Sequence, residues 1–402
     1  MADTPVPDDA TGGRRRGSAT RAAMGDEVSP LELLFDVVFV FAISQLSHHL
    51  LDHLSWRGAL EVGVLLLAVF GIWSLTSFAA SMPGISRRAA NGALLTVLVL
   101  GLFFNAGIAT AFSEDPWLFV VPFLACSLGI VFFYMFAVSS HEMRRHGQSM
   151  LVWAIPSTTF WIVGAFIEPE TRVWWWLAAA LLDLIGAWSA HPLPGRTFRT
   201  AEIPFAPAHM IERSRLFLII ALGETVLTSG TALSEAHLDA ATVIAGGLAV
   251  LGTIALWGLY FTGSGRMVNE HATATGDPLR AARLAVNGQV VTAAGLIVLA
   301  VGYETAIHEP LAPAGLTLTL LLFGGPLLYL GLQIWYLHAL TGRFSRARLI
   351  GACALVVAGL ATWPLPAVVA LAVSSLLLGG LTVWVTRNAA RPSLAPGEGH
   401  AR

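Results

Sequence analysis

Residues 59–80 read ALEVGVLLLAVFGIWSLTSFAA, an apolar run whose only charged side chain is Glu61. A helix needs about 20 apolar residues to cross the ~30 Å of hydrocarbon in a bilayer, and this run meets that length. It is much longer than an ordinary β-strand. Residues 93–112 and 284–301 form similar runs. These stretches predict helices that cross a membrane.

The composition of the 402-residue chain agrees with a lipid environment, since 55% of residues are hydrophobic, 12% are charged and the mean hydropathy is +0.70. These values exclude an ordinary soluble domain. The sequence contains no Lys, and its Arg residues cluster in short polar gaps between apolar runs. Cys126 and Cys353 each lie inside an apolar run, so no disulfide framework is predicted. We predict an all-α, polytopic transmembrane helical bundle that contacts the lipid bilayer.

The apolar runs predict a bundle of about twelve helices. They cover residues 31–51, 57–81, 89–112, 116–138, 149–167, 172–192, 214–233, 239–263, 284–306, 311–340, 347–363 and 366–386. Only Pro364 separates the last two. Gly324, Gly325 and Pro326 are expected to break or kink the tenth helix, because Pro lacks a backbone donor and clashes with the preceding turn.

The Arg residues also predict the orientation of the chain. If the N-terminus is cytoplasmic, the cytoplasmic gaps hold most of the Arg residues, including Arg145, and only Arg57 and Arg172 fall outside. Cytoplasmic loops of membrane proteins are enriched in Lys and Arg. We therefore predict a multi-pass protein of the cell inner (plasma) membrane with both termini cytoplasmic. Residues 1–28 are predicted to form a disordered cytoplasmic tail, and residues 389–402 a second cytoplasmic tail.

An internal similarity indicates two six-helix halves, at residues 29–200 and 201–388. The third predicted helix opens with RRAANGALLTVLVLG and the ninth with RLAVNGQVVTAAGLIVL, which aligns Asn91 with Asn287. Both halves would start from the same side of the membrane and form a parallel repeat. The alternative is that apolar sequences align with one another whatever their origin.

The first predicted helix carries ionisable side chains inside its apolar run. Each costs ~2.5–3.5 kcal/mol at the centre of a membrane helix, so each needs a partner, a cavity or a role. Glu32 and Asp36 lie one turn apart on one face. Gln45 and His48 form a second polar face. Because a helix that is polar on two sides cannot face lipid, we expect it to be central in the bundle.

The seventh predicted helix supplies the opposite charge. Arg213 and Arg215 lie at its cytoplasmic edge, at the depth of Glu32 and Asp36 in the first helix. Leaving a buried charge unpaired costs more than removing the whole pair. The sequence therefore predicts that Arg213 or Arg215 pairs with these carboxylates across the two halves.

Glu224 lies near the middle of the same predicted helix, and two interpretations remain open for it. It could be a neutral acid that hydrogen-bonds a neighbouring helix, or part of an ion, proton or ligand site. The internal similarity also aligns FVFAISQL of the first helix with LIIALGETV of the seventh, which pairs Glu224 with Gln45. We predict that Glu224 faces a polar cavity between the halves, opposite Gln45, on a pathway that also includes Glu32, Asp36 and His48.

Other polar side chains are weaker candidates, because hydrogen bonds between helices explain them equally well. The secondary candidates for the pathway are Asn91, Asn287, Asp183 and Glu304. His48, His49 and His53 invite a metal interpretation, but the first two are adjacent and point apart, so no metal site is predicted.

Motifs of soluble enzymes and nucleic-acid binders are not found. The sequence has no phosphate-binding Gly loop, no nucleophile with base partners and no HExxH zinc helix, so it identifies no catalytic residue and no cofactor. Topology accounts for the Arg residues, which leaves no basic surface for nucleic acid.

Two segments resemble the signatures of the bacterial low temperature requirement A family. SPLELLFDVVFVFAISQLSHHL, residues 29–50, is similar to a first motif of the type E-L-F-F-D-L-V-F-V-F, with Leu34 where the family usually has an aromatic residue. IERSRLFLIIALGETVL, from residue 211, is similar to a second motif, E-R-x-x-L-F-x-I-I-x-L-G-E. The positions carried over by this resemblance are Glu32, Phe35, Asp36, Gln45, Glu212, Arg213, Gly223 and Glu224. The family name records a cold-growth phenotype and defines no activity.

We expect a channel or secondary transporter that moves a small ion or metabolite between the halves. Buried charges and a repeat are what such a protein needs. The alternatives are a membrane enzyme acting on a lipid or isoprenoid, with Asp36, Glu224 and His48 as acid and base groups, and a sensor or scaffold without turnover. The enzyme is the less favoured hypothesis, because the sequence offers no set of metal-binding or nucleophilic side chains that could form an active site. An oligomer is compatible with the sequence.

Overall fold

The computed structural model of the protein describes residues 28–82, 85–138, 140–195, 207–261, 278–342 and 344–389. The predicted terminal tails lie outside this part of the chain, apart from one residue at each inner boundary. Within the described ranges the chain is helical and contains no β-strand.

Twelve α-helices form the described part of the bundle, which confirms the predicted fold class and helix number. They are α1 Pro30–Asp52, α2 Trp56–Ala80, α3 Arg87–Ala106, α4 Trp117–Phe136, α5 His141–Phe166, α6 Pro169–Ser189, α7 Pro207–Glu235, α8 Ala240–Phe261, α9 Pro278–His308, α10 Gly315–Thr341, α11 Arg346–Thr362 and α12 Ala367–Ala389. A short 3₁₀ segment, Gly107–Thr110, extends α3.

Ten of these helices are long and apolar enough to cross a membrane. The two others are α6 and α11, and α11 has only 17 residues. Because these apolar helices require a hydrocarbon solvent, the protein is a multi-pass membrane protein whose surface contacts the lipid bilayer.

Several helices begin earlier than the sequence predicts. α5 begins at His141, where the apolar run predicts residue 149, and α7 begins at Pro207 instead of 214. The apolar run marks only the stretch that suits hydrocarbon. Helical hydrogen bonds form equally well in the polar residues that precede it, so hydropathy underestimates the helix length at these ends.

The sequence predicts a break or a kink in the tenth helix, and the break is wrong, since α10 is one continuous helix through Gly324, Gly325 and Pro326. The glycines serve packing instead. A Cβ atom built on Gly325 would lie 2.6 Å from the carbonyl oxygen of Gly295 in α9, and one built on Gly295 would lie 2.8 Å from that of Gly325. Small residues at both positions let the backbones of α9 and α10 approach closely.

α1 is central, as the sequence predicts for a helix that is polar on two sides. It packs against α2 and α3 of the first six helices and against α7 and α9 of the last six. α7 and α9 in turn form one of the most extensive helix pairs in the second set. The contact between α1 and α7 therefore joins the two sets of helices, and it brings the charged residues of both together.

Candidate functional site

The start of α1 is fixed by a capping box that also orients Glu32. The backbone N–H of Glu32 donates to Ser29 Oγ at 3.3 Å, and the backbone N–H of Ser29 donates to Glu32 Oε2 at 2.8 Å. Pro30 occupies the first turn, where its missing N–H costs nothing. These contacts leave Glu32 Oε1 directed to α7.

Arg213 of α7 lies between the two carboxylates of α1. Its Nη2 donates to Asp36 Oδ1 at 3.1 Å, and its Nη1 lies 3.7 Å from Glu32 Oε1. The side chains of Arg213 and Asp36 are fully buried, and that of Glu32 is 9% exposed. The structure thus brings together three of the predicted site residues, from opposite sets of six helices.

Trp73 of α2 completes the surroundings of Asp36. Its Nε1–H donates to Asp36 Oδ1 at 2.7 Å, so this oxygen accepts hydrogen bonds from both α2 and α7. The guanidinium carbon of Arg213 lies 5.0 Å from the Phe35 ring centre and 5.9 Å from that of Trp73. The ring of Phe217 packs on Trp73 at 4.8 Å. Aromatic faces can stabilise a buried guanidinium, so the charge lies in an aromatic enclosure.

His209 links this enclosure to the surface. Its Nε2 lies 3.0 Å from Glu32 Oε1, and its side chain is 15% exposed. Contacts therefore run inward from the partly exposed His209 through Glu32 and Arg213 to Asp36. We call these four residues the α1–α7 charge cluster.

Several polar atoms of the cluster have no hydrogen-bond partner within the described ranges. They are Asp36 Oδ2 and the Nε and Nη1 atoms of Arg213. Thr76 Oγ1 and Ser77 Oγ, one turn beyond Trp73 on α2, are unpartnered in the same way. Most buried polar groups in proteins are hydrogen-bonded, so such a concentration needs an explanation. The cluster retains unused donors and acceptors with which it could bind an ion or proton, or change its pairing.

Arg215 does not join the cluster. Its Nη1 donates to Glu212 Oε2 at 2.9 Å, and its guanidinium lies over the ring of Phe261. Residue 215 is two positions from 213, which turns its side chain to a different face of α7.

Glu224 is buried, with 4% exposure, and it accepts a hydrogen bond from Thr228 Oγ1 at 3.1 Å. Thr228 lies one turn further along the same helix. Gln45 is partly buried on α1, and no hydrogen bond joins it to Glu224 in the part of the chain that the structure describes.

Two adjacent histidines near the other end of α1 have different surroundings. His48 is exposed and its Nδ1 lies 2.8 Å from the carbonyl oxygen of Ser44. The neighbouring His49 is the buried one, with its Nε2 3.1 Å from Glu61 Oε2. Arg57 donates to the other oxygen of Glu61 at 2.9 Å. No group of three or more side chains suited to a metal occurs among the described residues.

The secondary candidates lie apart from the cluster. Asn91 is exposed on α3, and Asn287 is partly buried on α9. Glu304 is partly buried near the end of α9. Asp183 of α6 accepts a hydrogen bond from Trp161 Nε1 of α5 at 3.2 Å.

The roles of Trp73 and Arg172 are not predicted from the sequence, which places Arg172 in an outer loop and gives Trp73 no partner. Arg172 is 2% exposed, and its three nitrogens donate to the carbonyl oxygens of Ala111, Ser113, Gly164 and Ile167 at 2.6–3.1 Å. The signal for Trp73 was its place late in the second helix, level with Asp36 when antiparallel helices are laid side by side. Arg172 had no comparable signal, because backbone carbonyls leave no trace in a sequence.

Comparison with known proteins places the chain in a family. The sequence model of the bacterial low temperature requirement A protein (LtrA) family matches residues 27–383. The chain belongs to the LtrA family. The match includes all the residues of the α1–α7 charge cluster.

A curated relative of this LtrA protein is one from Rhizobium meliloti (strain 1021) named "Uncharacterized protein RA0937". It is 29% identical over 309 residues, which cover 76% of this chain and 75% of the relative. No solved structure matches the chain.

Proposed function

We propose that this LtrA protein is a channel or secondary transporter for a small ion or metabolite, with a path bordered by α1 and α7 between two six-helix halves. The observation that carries the proposal is the fully buried Arg213, shared between Glu32 and Asp36 across that boundary. Ionisable groups at membrane depth are rare and mark ion pathways and proton relays in many transport proteins.

The charges of the cluster favour a linked ion or proton. Glu32 and Asp36 carry two negative charges when ionised, and Arg213 carries one positive charge. The cluster is therefore balanced only when His209 is protonated, when a carboxylate takes up a proton, or when a monovalent cation binds. In a low-dielectric surrounding the balanced state is strongly favoured, so one proton or cation can decide which carboxylate Arg213 pairs with.

Arg213 has the geometry of a switch between two partners. It hydrogen-bonds Asp36 at 3.1 Å and stands 3.7 Å from Glu32, beyond hydrogen-bonding distance. Neutralising Asp36 would shift Arg213 toward Glu32, and neutralising Glu32 would hold it on Asp36. Because the two carboxylates lie on α1 and the guanidinium on α7, a change of partner would move one set of helices against the other.

Flux through liposomes tests the proposal. Vesicles containing the purified protein would be loaded with the pH dye pyranine and a defined mixture of amino acids, sugars and organic acids. A potassium gradient with valinomycin imposes a membrane potential. We expect proton, cation or metabolite movement that exceeds that of empty vesicles and falls sharply with Glu32→Gln. If no ion or metabolite moves in either direction, transport is excluded, and the membrane enzyme and the sensor or scaffold are the alternatives that remain.

The orientation belongs to the same proposal: both termini cytoplasmic, in the inner membrane. Arg145 is exposed near the start of α5, and Glu170 is exposed at the start of α6, just after the end of α5. The two residues are therefore suitable reporters for opposite sides of the membrane. Single cysteines at 145 and 170, in a chain lacking Cys126 and Cys353, would be labelled in intact cells with an impermeant maleimide. We expect labelling at 170 alone. Labelling at 145 alone would contradict the orientation.

A further inference from the structure

A small cavity that is partly open to the surface lies between α2, α4, α5 and α6, separate from the α1–α7 charge cluster. Its volume is about 50 Å³, and most of its lining is aliphatic. The polar groups on its wall are the Asp183 carboxylate, the Ser127 hydroxyl and the His191 imidazole, and the rings of Phe123 and Trp153 also line it. A cavity needs about 10–15 Å³ to hold a single water, so this one has room for a very small molecule.

The carboxylate of Asp183 lines this cavity without an Arg of the described ranges to offset its charge. Its Oδ2 accepts a hydrogen bond from Trp161 Nε1 at 3.2 Å, and Ser157 also interacts with the carboxylate. No Arg side chain forms an ion pair with it in the described ranges. The α1–α7 cluster offsets its carboxylates with Arg213, but Asp183 has no such partner. A partly buried carboxylate among apolar helices is costly unless a positive charge or a proton accompanies it.

The lining distinguishes between classes of cation. A metal ion such as Ca²⁺ or Mg²⁺ requires about six oxygen ligands, and the side chains here offer only the carboxylate of Asp183 and the hydroxyl of Ser127. An ammonium group needs far fewer acceptors, and its carbon chain gains from apolar and aromatic walls. The wall composition therefore suits an organic cation better than a hydrated metal ion.

We propose that this cavity is a binding site for a small organic cation, a short aliphatic primary ammonium. Its –NH₃⁺ group donates to the Asp183 carboxylate and to Ser127 Oγ, and its carbon chain packs against Phe123 and Trp153. The site lies wholly within the first six helices. It is independent of the proposed transport path, and the test below measures binding without any flux.

Gly71 of α2 provides a way to close the cavity without touching Asp183. It lines the cavity, and a Cβ atom built on it would have no heavy atom within 4 Å. Gly71→Ala therefore adds a methyl group at the cavity wall without a clash. Gly63 on the same helix has equally open surroundings but does not line the cavity. Gly63→Ala is thus a matched control for the effect of a helical Gly→Ala change.

Calorimetric titration of the full-length protein in phosphatidylcholine nanodiscs tests the site, with ethylammonium chloride as the probe. Ethanol serves as its neutral counterpart, and sodium chloride controls for ionic strength. We expect saturable binding of one ethylammonium per chain. Asp183→Asn, which keeps an oxygen for Trp161, should weaken it by about tenfold or more. Gly71→Ala should also weaken binding, whereas Gly63→Ala should leave it unchanged.

Four results would overturn the proposal. They are no saturable heat with the wild-type protein, equal binding of ethanol, equal binding of sodium, and unchanged binding in both Asp183→Asn and Gly71→Ala. If Asp183→Asn does not fold, the comparison of Gly71→Ala with Gly63→Ala decides the question, because neither alters a charged group.

Discussion

Arg213 and Arg172 are two buried arginines with opposite surroundings. Arg172 lies near the ends of α3 and α5, where its nitrogens donate to four backbone carbonyl oxygens. Arg213 faces two carboxylates at the start of α1 and leaves Nε and Nη1 without hydrogen bonds in the described structure. Helix ends have unsatisfied carbonyls that a guanidinium can cap. Arg172 is therefore a structural clamp, whereas Arg213 keeps unused capacity for a change of partner.

The two sites also lie at opposite ends of α1. Arg213 contacts its N-terminal turns. At the other end, Arg57 donates to Glu61, which pairs with His49 of α1, and to the carbonyl oxygen of Pro169, just before Arg172 in α6. Substitutions at Arg213 and Arg172 can therefore be treated as independent, since their effects on stability should add.

The largest effect is expected from Arg213→Met, which removes the charge but keeps an apolar side chain of some length. Glu32 and Asp36 would then be buried together without a cation. Breaking a buried ion pair from one side costs about 3–5 kcal/mol. Denaturation of the purified protein in detergent, followed by circular dichroism, should show this loss. Stability equal to the wild type would mean that the carboxylates do not depend on Arg213.

Arg172→Met should cost less. Each buried acceptor left without a partner costs about 1–3 kcal/mol. The carbonyl oxygens of Ser113 and Ile167 lie in partly buried contacts that water can reach, and that of Gly164 still accepts from the backbone N–H of Ile167. Only the carbonyl oxygen of Ala111 is then left buried without a partner. The flux of each correctly folded molecule should stay at the wild-type level. A variant that folds normally but loses flux would show that Arg172 also takes part in function. The distinction between a structural Arg172 and a functional Arg213 would then be wrong.

The double variant Arg213→Met with Asp36→Asn removes the charge of both partners. We expect it to be more stable than Arg213→Met alone by roughly 0.5–3 kcal/mol, the usual range of coupling between contacting residues. Arg172→Met with Asp36→Asn is the control, and its two losses should add. Additive losses in both double variants would exclude coupling between Asp36 and Arg213.

A smaller effect is expected from Trp73→Phe. This change keeps an aromatic ring near Arg213 but deletes the N–H that donates to Asp36 Oδ1. Loss of one hydrogen bond to a charged group should cost about 1.5–3 kcal/mol at most. Trp257→Phe is a suitable control, since this side chain is 45% exposed on α8. Equal stability of Trp73→Phe and the control would mean that Asp36 does not need the indole.

Hydropathy predicts the helices of this protein well because lipid imposes a simple requirement on length and composition. The predicted first helix, residues 31–51, differs from Pro30–Asp52 by one residue at each end. The start of α5 is less well predicted, because His141 and the polar residues after it continue the helix beyond the apolar run. Gly325 suggests a break from sequence alone, and only the position of α9 reveals that it serves close packing.

The charge cluster could be predicted in part. Glu32 and Asp36 at helical spacing and Arg213 at matching depth suffice to suggest a contact between α1 and α7. The choice of Arg213 over Arg215 depends on the rotation of α7 about its axis, which the sequence does not fix. The spacing of Gln45 and His48 predicts a second polar face of α1, but their burial depends on neighbouring helices. His48 proves exposed and His49 buried for this reason.

Asp36→Asn and Arg172→Met, compared in the same liposome flux assay, decide whether the α1–α7 charge cluster takes part in transport. Asn keeps the size of Asp36 and an acceptor for Trp73, and Arg213 still has Glu32, so the variant should fold and retain most of its stability. We predict that Asp36→Asn abolishes most of the flux per reconstituted molecule, whereas Arg172→Met lowers stability and leaves that flux intact. Normal flux in Asp36→Asn would contradict the account and make the α1–α7 charge cluster a structural clamp like that of Arg172.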